Sequence, residues 1–247
     1  MRLRGSPRPL NRLTSHNARW RVAAYLTYLH ADRERYGPEG GATYSNLLAM
    51  CGPRAEISPR VLKTVLALLQ LTGFVKSVRS QADRRSKIYK PTERMADFMQ
   101  RWMEYATKAL DILEPDMGRS QMLRDDPGFC DRFLVSSGRG HVTAVDLVEH
   151  MPEYMAFFGS RDGAGAVLLA VLLADIDGTA VPSRAELAKQ FGFSKTQITK
   201  VFSDGEALGY FILDGAGAPA PTQRLRDSSN KWISLELAFY AMHMRKS

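Results

Sequence analysis

Apolar positions along the chain fall into helical stripes broken by glycine and proline, and one arrangement of them occurs twice. In its first occurrence Ser58-Pro59 opens a helix, a hydroxyl cap followed by proline at the first helical position. Leu62, Val65, Leu66 and Leu69 then recur at the spacing of one buried face. Gly73 ends the helix, where a left-handed residue is easiest to accommodate. Phe74-Val75 and Ile88-Tyr89 read as short strands, with Arg79, Asp83, Arg84, Arg85 and Lys87 between them. The pattern predicts a hairpin with a basic tip. Pro91-Thr92 then starts a long helix to Leu113, striped by Met95, Phe98, Met99, Trp102, Tyr105, Ala106, Ala109 and Leu110. That stripe is wider than one small domain needs. Its excess is expected to pack on the other repeat or on a second chain, with Met95, Phe98, Trp102 and Trp232 at that interface.

In the second occurrence Ser194 to Gly209 spans the same fifteen positions as Ser58 to Gly73. Ile198, Val201 and Phe202 fall where Leu62, Val65 and Leu66 stand, and Tyr210-Phe211 where Phe74-Val75 stand. Pro221-Thr222-Gln223-Arg224-Leu225 resembles Pro91-Thr92-Glu93-Arg94-Met95, and a tryptophan follows each proline by eleven residues. Matches in one order predict a tandem duplication. The second hairpin is shorter: Gly73 to Pro91 is eighteen residues, Gly209 to Pro221 twelve. Helix, hairpin, helix is the grammar of a winged helix-turn-helix. The expected fold is therefore mainly α with small β-hairpin wings, two such domains in tandem joined by a helical connector.

The remaining segments follow in order. Residues 1–16 carry Arg2, Arg4, Arg8 and Arg12 with two prolines and little to bury, and are expected to be a flexible basic arm. Residues 17–113 form the first domain: Asn17 caps a helix to about Arg33, with Trp20, Val22, Ala23 and Leu26 inward, and Tyr44 to Cys51 makes a short second helix. Residues 114–162 are a connector whose Phe129, Phe133, Tyr154, Phe157 and Phe158 demand burial, so short helices between the domains are expected. Residues 163–247 form the second domain. It opens on the apolar run Ala164 to Ala174, far short of the ~20 residues a bilayer requires. Ser183 with Glu186, and Ser194 with Gln197, make two capping boxes eleven residues apart, with Gly192 in the turn between them. The last segment reads as a helix from Thr222 to about His243. Ser228-Ser229-Asn230 weakens it, and a strand over Lys231 to Leu237 is the alternative.

The net charge of +8 is unevenly placed: residues 1–113 hold 20 Lys and Arg against 9 Asp and Glu, whereas residues 114–247 hold 14 against 17. The first half is thus the one suited to a polyanion, because clustered cations release counterions from nucleic-acid phosphates. On the Ser58 helix, Arg60, Lys63, Thr64 and Gln70 lie opposite the apolar stripe and would meet a groove floor. On the second such helix Lys195, Thr196, Gln197, Thr199 and Lys200 give a dense hydrogen-bonding start, in which Gln pairs with adenine and Lys with guanine. The second hairpin carries no base. Cys51 and Cys130 have no metal or redox spacing, and no phosphate-cradling loop or nucleophile elbow is present. No enzymatic activity, cofactor or metal is therefore expected, and an intracellular location is.

Asp83-Arg84-Arg85, followed by Tyr89, Thr92 and Glu93, resembles the wing and wing exit of the MarR family of bacterial regulators. The resemblance implies that Asp83 orients Arg85 toward the minor groove, that terminal helices form a homodimer, and that the chain works in the cytoplasm on nucleoid DNA. Pro91 departs from the leucine usual there and Met95 from a common glycine, and the family's chains usually carry one such domain. The expectation is a sequence-specific regulator of transcription on double-stranded DNA, with any small-molecule effector unassigned. A replication or partition initiator, or a scaffold whose winged helices dock proteins, would use the same grammar.

Overall fold

The computed structural model describes residues 17–52, 57–81, 83–143 and 150–245. The basic arm expected over residues 1–16 lies outside them. The described chain is mostly helical with two small antiparallel hairpins. It divides into two compact units, residues 18–143 with 237–245, and residues 150–236. The expected connector is thus shared out: its part up to residue 143 belongs to the first unit, its part from residue 150 to the second.

In the first unit α1 (Asn17–Ala31), α2 (Arg33–Tyr36) and α3 (Tyr44–Cys51) precede α4 (Pro59–Leu71). Ser58 caps α4 by accepting from the Val61 N–H at 3.3 Å, and Leu62, Val65, Leu66 and Leu69 are buried as the stripe requires. Gly73, at φ 72°, turns the chain into β1 (Val75–Arg79) and β2 (Lys87–Pro91), paired from Val75 with Pro91 to Arg79 with Lys87. The loop before α3 joins this sheet, Tyr89 N–H donating to the Ala42 carbonyl at 2.8 Å. The long helix α5 (Glu93–Leu113) follows, then a 3-10 turn (Pro115–Met117), α6 (Arg119–Asp125) and α7 (Phe129–Thr143).

Met95 and Phe98, expected at an interface, lie in this unit's own core. Trp20 and Phe74 pack edge-on to Phe98 at 5.8 and 5.9 Å. Trp102, half-buried, packs against Trp20, Phe133 and Tyr240 at ring separations of 5.5, 5.8 and 5.3 Å, and Tyr240 stands on the long helix that follows Pro221. The wide apolar stripe of α5 is satisfied by α7 and by the chain's last turns. Asp32 is buried and accepts two hydrogen bonds from Arg139 on α7, at 2.6 and 2.9 Å. That bidentate partner holds its carboxyl below the usual range and supplies what a buried charge needs.

The second unit begins with α8 (Pro152–Tyr154), which continues as a π-helical turn (Met155–Gly159), then α9 (Ala164–Ile176), α10 (Arg184–Phe191) and α11 (Lys195–Ala207). Both expected capping boxes are formed, at Ser183 with Glu186 and at Ser194 with Gln197, and Gly192 between them is left-handed at φ 75°. β3 (Phe211–Leu213) and β4 (Pro219–Pro221) make the short hairpin, and α12 (Gln223–His243) ends the fold. Tyr154, Phe157, Phe158, Tyr210 and Phe211 form an aromatic core, and Gly205 lets Phe211 approach α11: a Cβ there would stand 2.4 Å from its ring. Residues 231–237 are part of this helix rather than a strand, and Ser229 within it turns inward, is buried, and meets the Tyr154 hydroxyl at 3.4 Å. Trp232, the other expected anchor, stacks on Tyr154 at 6.2 Å within this unit.

The two helix–hairpin–helix segments share a set of contacts at their joints. Gly73 and Gly209 have φ of 72° and 71°. Phe74 N–H donates to Leu69 O at 2.9 Å, and Tyr210 N–H to Gly205 O at 2.8 Å. The Thr92 hydroxyl lies 2.7 Å from Gly73 O and 3.0 Å from Phe74 O, and that of Thr222 lies 2.7 and 3.1 Å from Gly209 O and Tyr210 O. The Arg94 guanidinium sits 4.7 Å over Phe74, and that of Arg224 sits 4.9 Å over Tyr210. The shared hydroxyl-to-carbonyl contacts imply a similar sensitivity, to which the Leu225 N–H bond on the Thr222 hydroxyl, at 3.2 Å, adds on one side only. Thr92→Val and Thr222→Val should each lower unfolding free energy by about 1 kcal/mol, the net worth of one hydrogen bond, as read from denaturant melts. A loss confined to one of the two would deny the equivalence.

Candidate nucleic-acid interface

The exposed side of α4 and the hairpin β1–β2 carry the cations the sequence placed there. Arg60, Lys63, Arg79, Arg84, Arg85 and Lys87 are all exposed, and none is in an ion pair among the described residues. The Lys63 ammonium lies 5.7 Å over the Tyr44 ring. Lys76, exposed on β1, extends the same basic hairpin, although strand alternation alone did not single it out. Thr64 is exposed, but its hydroxyl donates back to Arg60 O at 2.9 Å. Gln70 donates to the Ser77 hydroxyl on β1 at 3.1 Å, so it braces helix against hairpin as well as facing outward.

Asp83 acts on the backbone of the hairpin tip. Its carboxylate accepts from the Ser86 hydroxyl at 2.6 Å and from the Arg85 N–H at 3.0 Å. It therefore sets where the Arg85 side chain leaves the turn, through the main chain and not through a side-chain ion pair.

In the second unit the corresponding groups are largely engaged. Gln197 is exposed, but its Oε1 accepts from the Ser194 N–H at 3.0 Å in the capping box. Bidentate reading of an adenine by Gln197 would use the second lone pair of that oxygen together with Nε2, from the pose the box imposes. Thr199 donates back to Lys195 O at 3.0 Å, and Lys200 pairs with Asp204 at 3.3 Å. Lys195 and Thr196 remain exposed at the start of α11. Arg224 pairs with Glu153 at 3.0 Å and Arg226 with Asp175 at 2.8 Å. The short hairpin is shaped by Asp214, which accepts from the Ala216 and Ala218 N–H groups. Arg184, which the sequence gave no reason to single out, donates to Gly217 O at 2.8 Å and lines a cavity of about 500 Å³ with Lys195, Phe202 and Pro219.

Neither cysteine has an activated setting. Cys51 is buried, and burial pushes the half-buried Cys130 thiol up to about 11 while its Sγ meets Gln100 Oε1 at 3.2 Å. Among the described residues no cluster of His, Cys, Asp and Glu could hold a metal, and no single helix is long and apolar enough to cross a membrane. Comparison with known proteins finds no matching family model, no matching curated protein and no matching solved structure.

The Asp83 carboxyl is held below its usual range, first by the Ser86 hydroxyl and then by the Arg85 N–H. A lowered folded value means the turn is fully supported above the ordinary carboxylate range and loosens as pH falls through that lowered value. The Arg85 amide resonance should therefore move in an acid titration, with a midpoint below that of an ordinary aspartate. In Asp83→Asn the movement should vanish. An Arg85 amide that ignores the titration would remove Asp83 from the turn.

Proposed function

We propose that the chain is a sequence-specific DNA-binding regulator of transcription built from two winged helix-turn-helix domains. In this reading α4 and α11 enter major grooves, and the basic hairpin β1–β2 lies on the minor groove or on phosphates. The observation that carries it is the set of uncompensated cations on α4 and its hairpin. A helix face and an adjoining hairpin holding unpaired Arg and Lys suit a duplex, because phosphates take the hairpin while the helix reaches base edges. The resemblance of Asp83-Arg84-Arg85 and the Thr92 exit to the MarR wing points the same way, as does the matched joint at Thr222. The working place under this reading is nucleoid DNA.

The two domains divide the task. The first, with free charge and a full wing, supplies most of the affinity. The second, where Lys200, Arg224 and Arg226 are paired, adds sequence preference through Lys195 and its neighbours. Homodimerisation, implied by the resemblance, would use the exposed end of α5, where Tyr105, Ile112 and Leu113 fall in one stripe, in place of the buried Met95 and Phe98. A scaffold that docks proteins has no use for this charge placement, and a salt series separates the two readings.

Arg84→Ala and Arg85→Ala should each weaken binding to every duplex, and each should lower the slope of log affinity against log salt by about 1. A folded double variant with the wild-type slope would leave those arginines off the DNA. Binding-site selection from random duplexes with the intact chain and a Lys195/Gln197/Lys200 triple alanine variant should return a blurred motif for the variant. Identical motifs and equal affinities would make the second domain a packing partner. Ile112→Asp with Leu113→Asp should give monomers in sedimentation, whereas an unaltered dimer would place the interface elsewhere.

A further inference from the structure

We propose that Glu39, far from the hairpin in sequence, is the positioning residue that sets the pose of the basic wing tip. This rests on the reading of β1–β2 as a DNA-contacting wing. Glu39 lies in the loop between α2 and α3. Its carboxylate accepts from the Ser80 hydroxyl at 2.9 Å and from the Gln81 N–H at 3.0 and 3.2 Å, just beyond the end of β1. Ser80 is buried, and its Oγ in turn accepts from the Asp83 N–H at 3.2 Å. Asp83 then accepts from the Arg85 N–H and the Ser86 hydroxyl. Ser86 returns to the base of the hairpin, where its carbonyl accepts from Ser80 N–H at 3.0 Å. A continuous hydrogen-bonded chain thus runs from Glu39 through Ser80 and Asp83 to the backbone of Arg85.

The anchor end of this chain is itself fixed. Gly40, at φ 77°, leaves no room for a side chain: a Cβ would stand 2.9 Å from the His30 carbonyl at the end of α1. Gly41 N–H donates to Leu29 O at 2.6 Å, and Thr43 bridges to Ile88 on β2. Glu39 is therefore held by the first helix on one side and holds the hairpin on the other.

An acid on a basic, phosphate-facing surface lowers the local attraction for DNA. Its electrostatic and positional effects therefore have opposite signs, and this makes the proposal decidable. If Glu39 acted only as a charge, its removal would tighten binding. If it positions the tip, removal weakens binding, because Arg84 and Arg85 then search more conformations before meeting a phosphate.

The experiment uses the full chain with Glu39→Ala, Glu39→Gln and Ser80→Ala, each checked for wild-type helical signal. Amide hydrogen exchange on the free protein should show Gln81, Arg85 and Ser86 losing protection by about tenfold in Glu39→Ala and Ser80→Ala. Glu39→Gln keeps a carbonyl acceptor and should recover much of that protection. Affinity for a random duplex at fixed salt should fall about three- to tenfold in Glu39→Ala, the size of one lost hydrogen bond, and recover in Glu39→Gln. On an Arg84→Ala/Arg85→Ala background Glu39→Ala should cause no further loss. Unchanged exchange, tighter binding in Glu39→Ala, or an equal loss without the two arginines would each overturn the proposal. If the wild-type chain binds no duplex at any salt, the DNA-binding reading fails, and the exchange measurement alone decides whether Glu39 orders the tip.

Discussion

Each half of this fold turns on one joint: a left-handed glycine at the end of a helix, closed by a threonine hydroxyl at the start of the next. Gly73 with Thr92, and Gly209 with Thr222, hold the exit of the outward-facing helix against the start of the long one. The hairpin between them has no choice of direction, since both its ends are fastened within two residues of the same carbonyls. Arg94 and Arg224 cover the joint from above by lying on Phe74 and Tyr210. A cation on a ring seals the aromatic residue that follows the glycine and keeps its own charge in water. Where the hairpin can point, and which face α4 or α11 leaves open, both follow from this joint.

The same joint serves two different surfaces. On the first unit it presents seven exposed cations without ion-pair partners among the described residues, on α4 and on a hairpin braced by Gln70 and Ser77. On the second it presents a hairpin of glycine, alanine and proline beside cations mostly tied to Asp204, Glu153 and Asp175. Free charge acts at a distance and is weakened by salt, whereas paired charge fixes local geometry. A division between attraction and selection is consistent with that difference, and Asp83 and Glu39 show that acids within the basic surface serve as backbone acceptors.

Much of the architecture was legible in the sequence, because its determinants are local. Helix caps lie within three residues of the groups they satisfy, buried stripes repeat every three or four residues, and a left-handed exit needs a glycine at one position. Ser58, Gly73, Thr92 and their counterparts at Ser194, Gly209 and Thr222 could therefore be placed, along with the two hairpins. The basic tip was equally visible, since exposed Arg and Lys in a turn have no competing local role.

What only the tertiary structure decided involves partners far apart in the chain or two local roles competing for one side chain. Phe98 read as an interface anchor, but Trp20 and Phe74 pack on it in the core of its own unit, and no periodicity within α5 reveals rings arriving from α1 and from the turn before β1. Asp32 finds Arg139, and Glu39 finds Ser80, only when loops are brought against distant elements. Ser229, which weakened the last helix as a sequence, finds the Tyr154 hydroxyl in the same way. Gln197 was both a capping residue and a base reader on paper. Folding assigned its carbonyl to the Ser194 N–H, since an N–H at a helix start must be satisfied and the amide three residues on is the nearest acceptor.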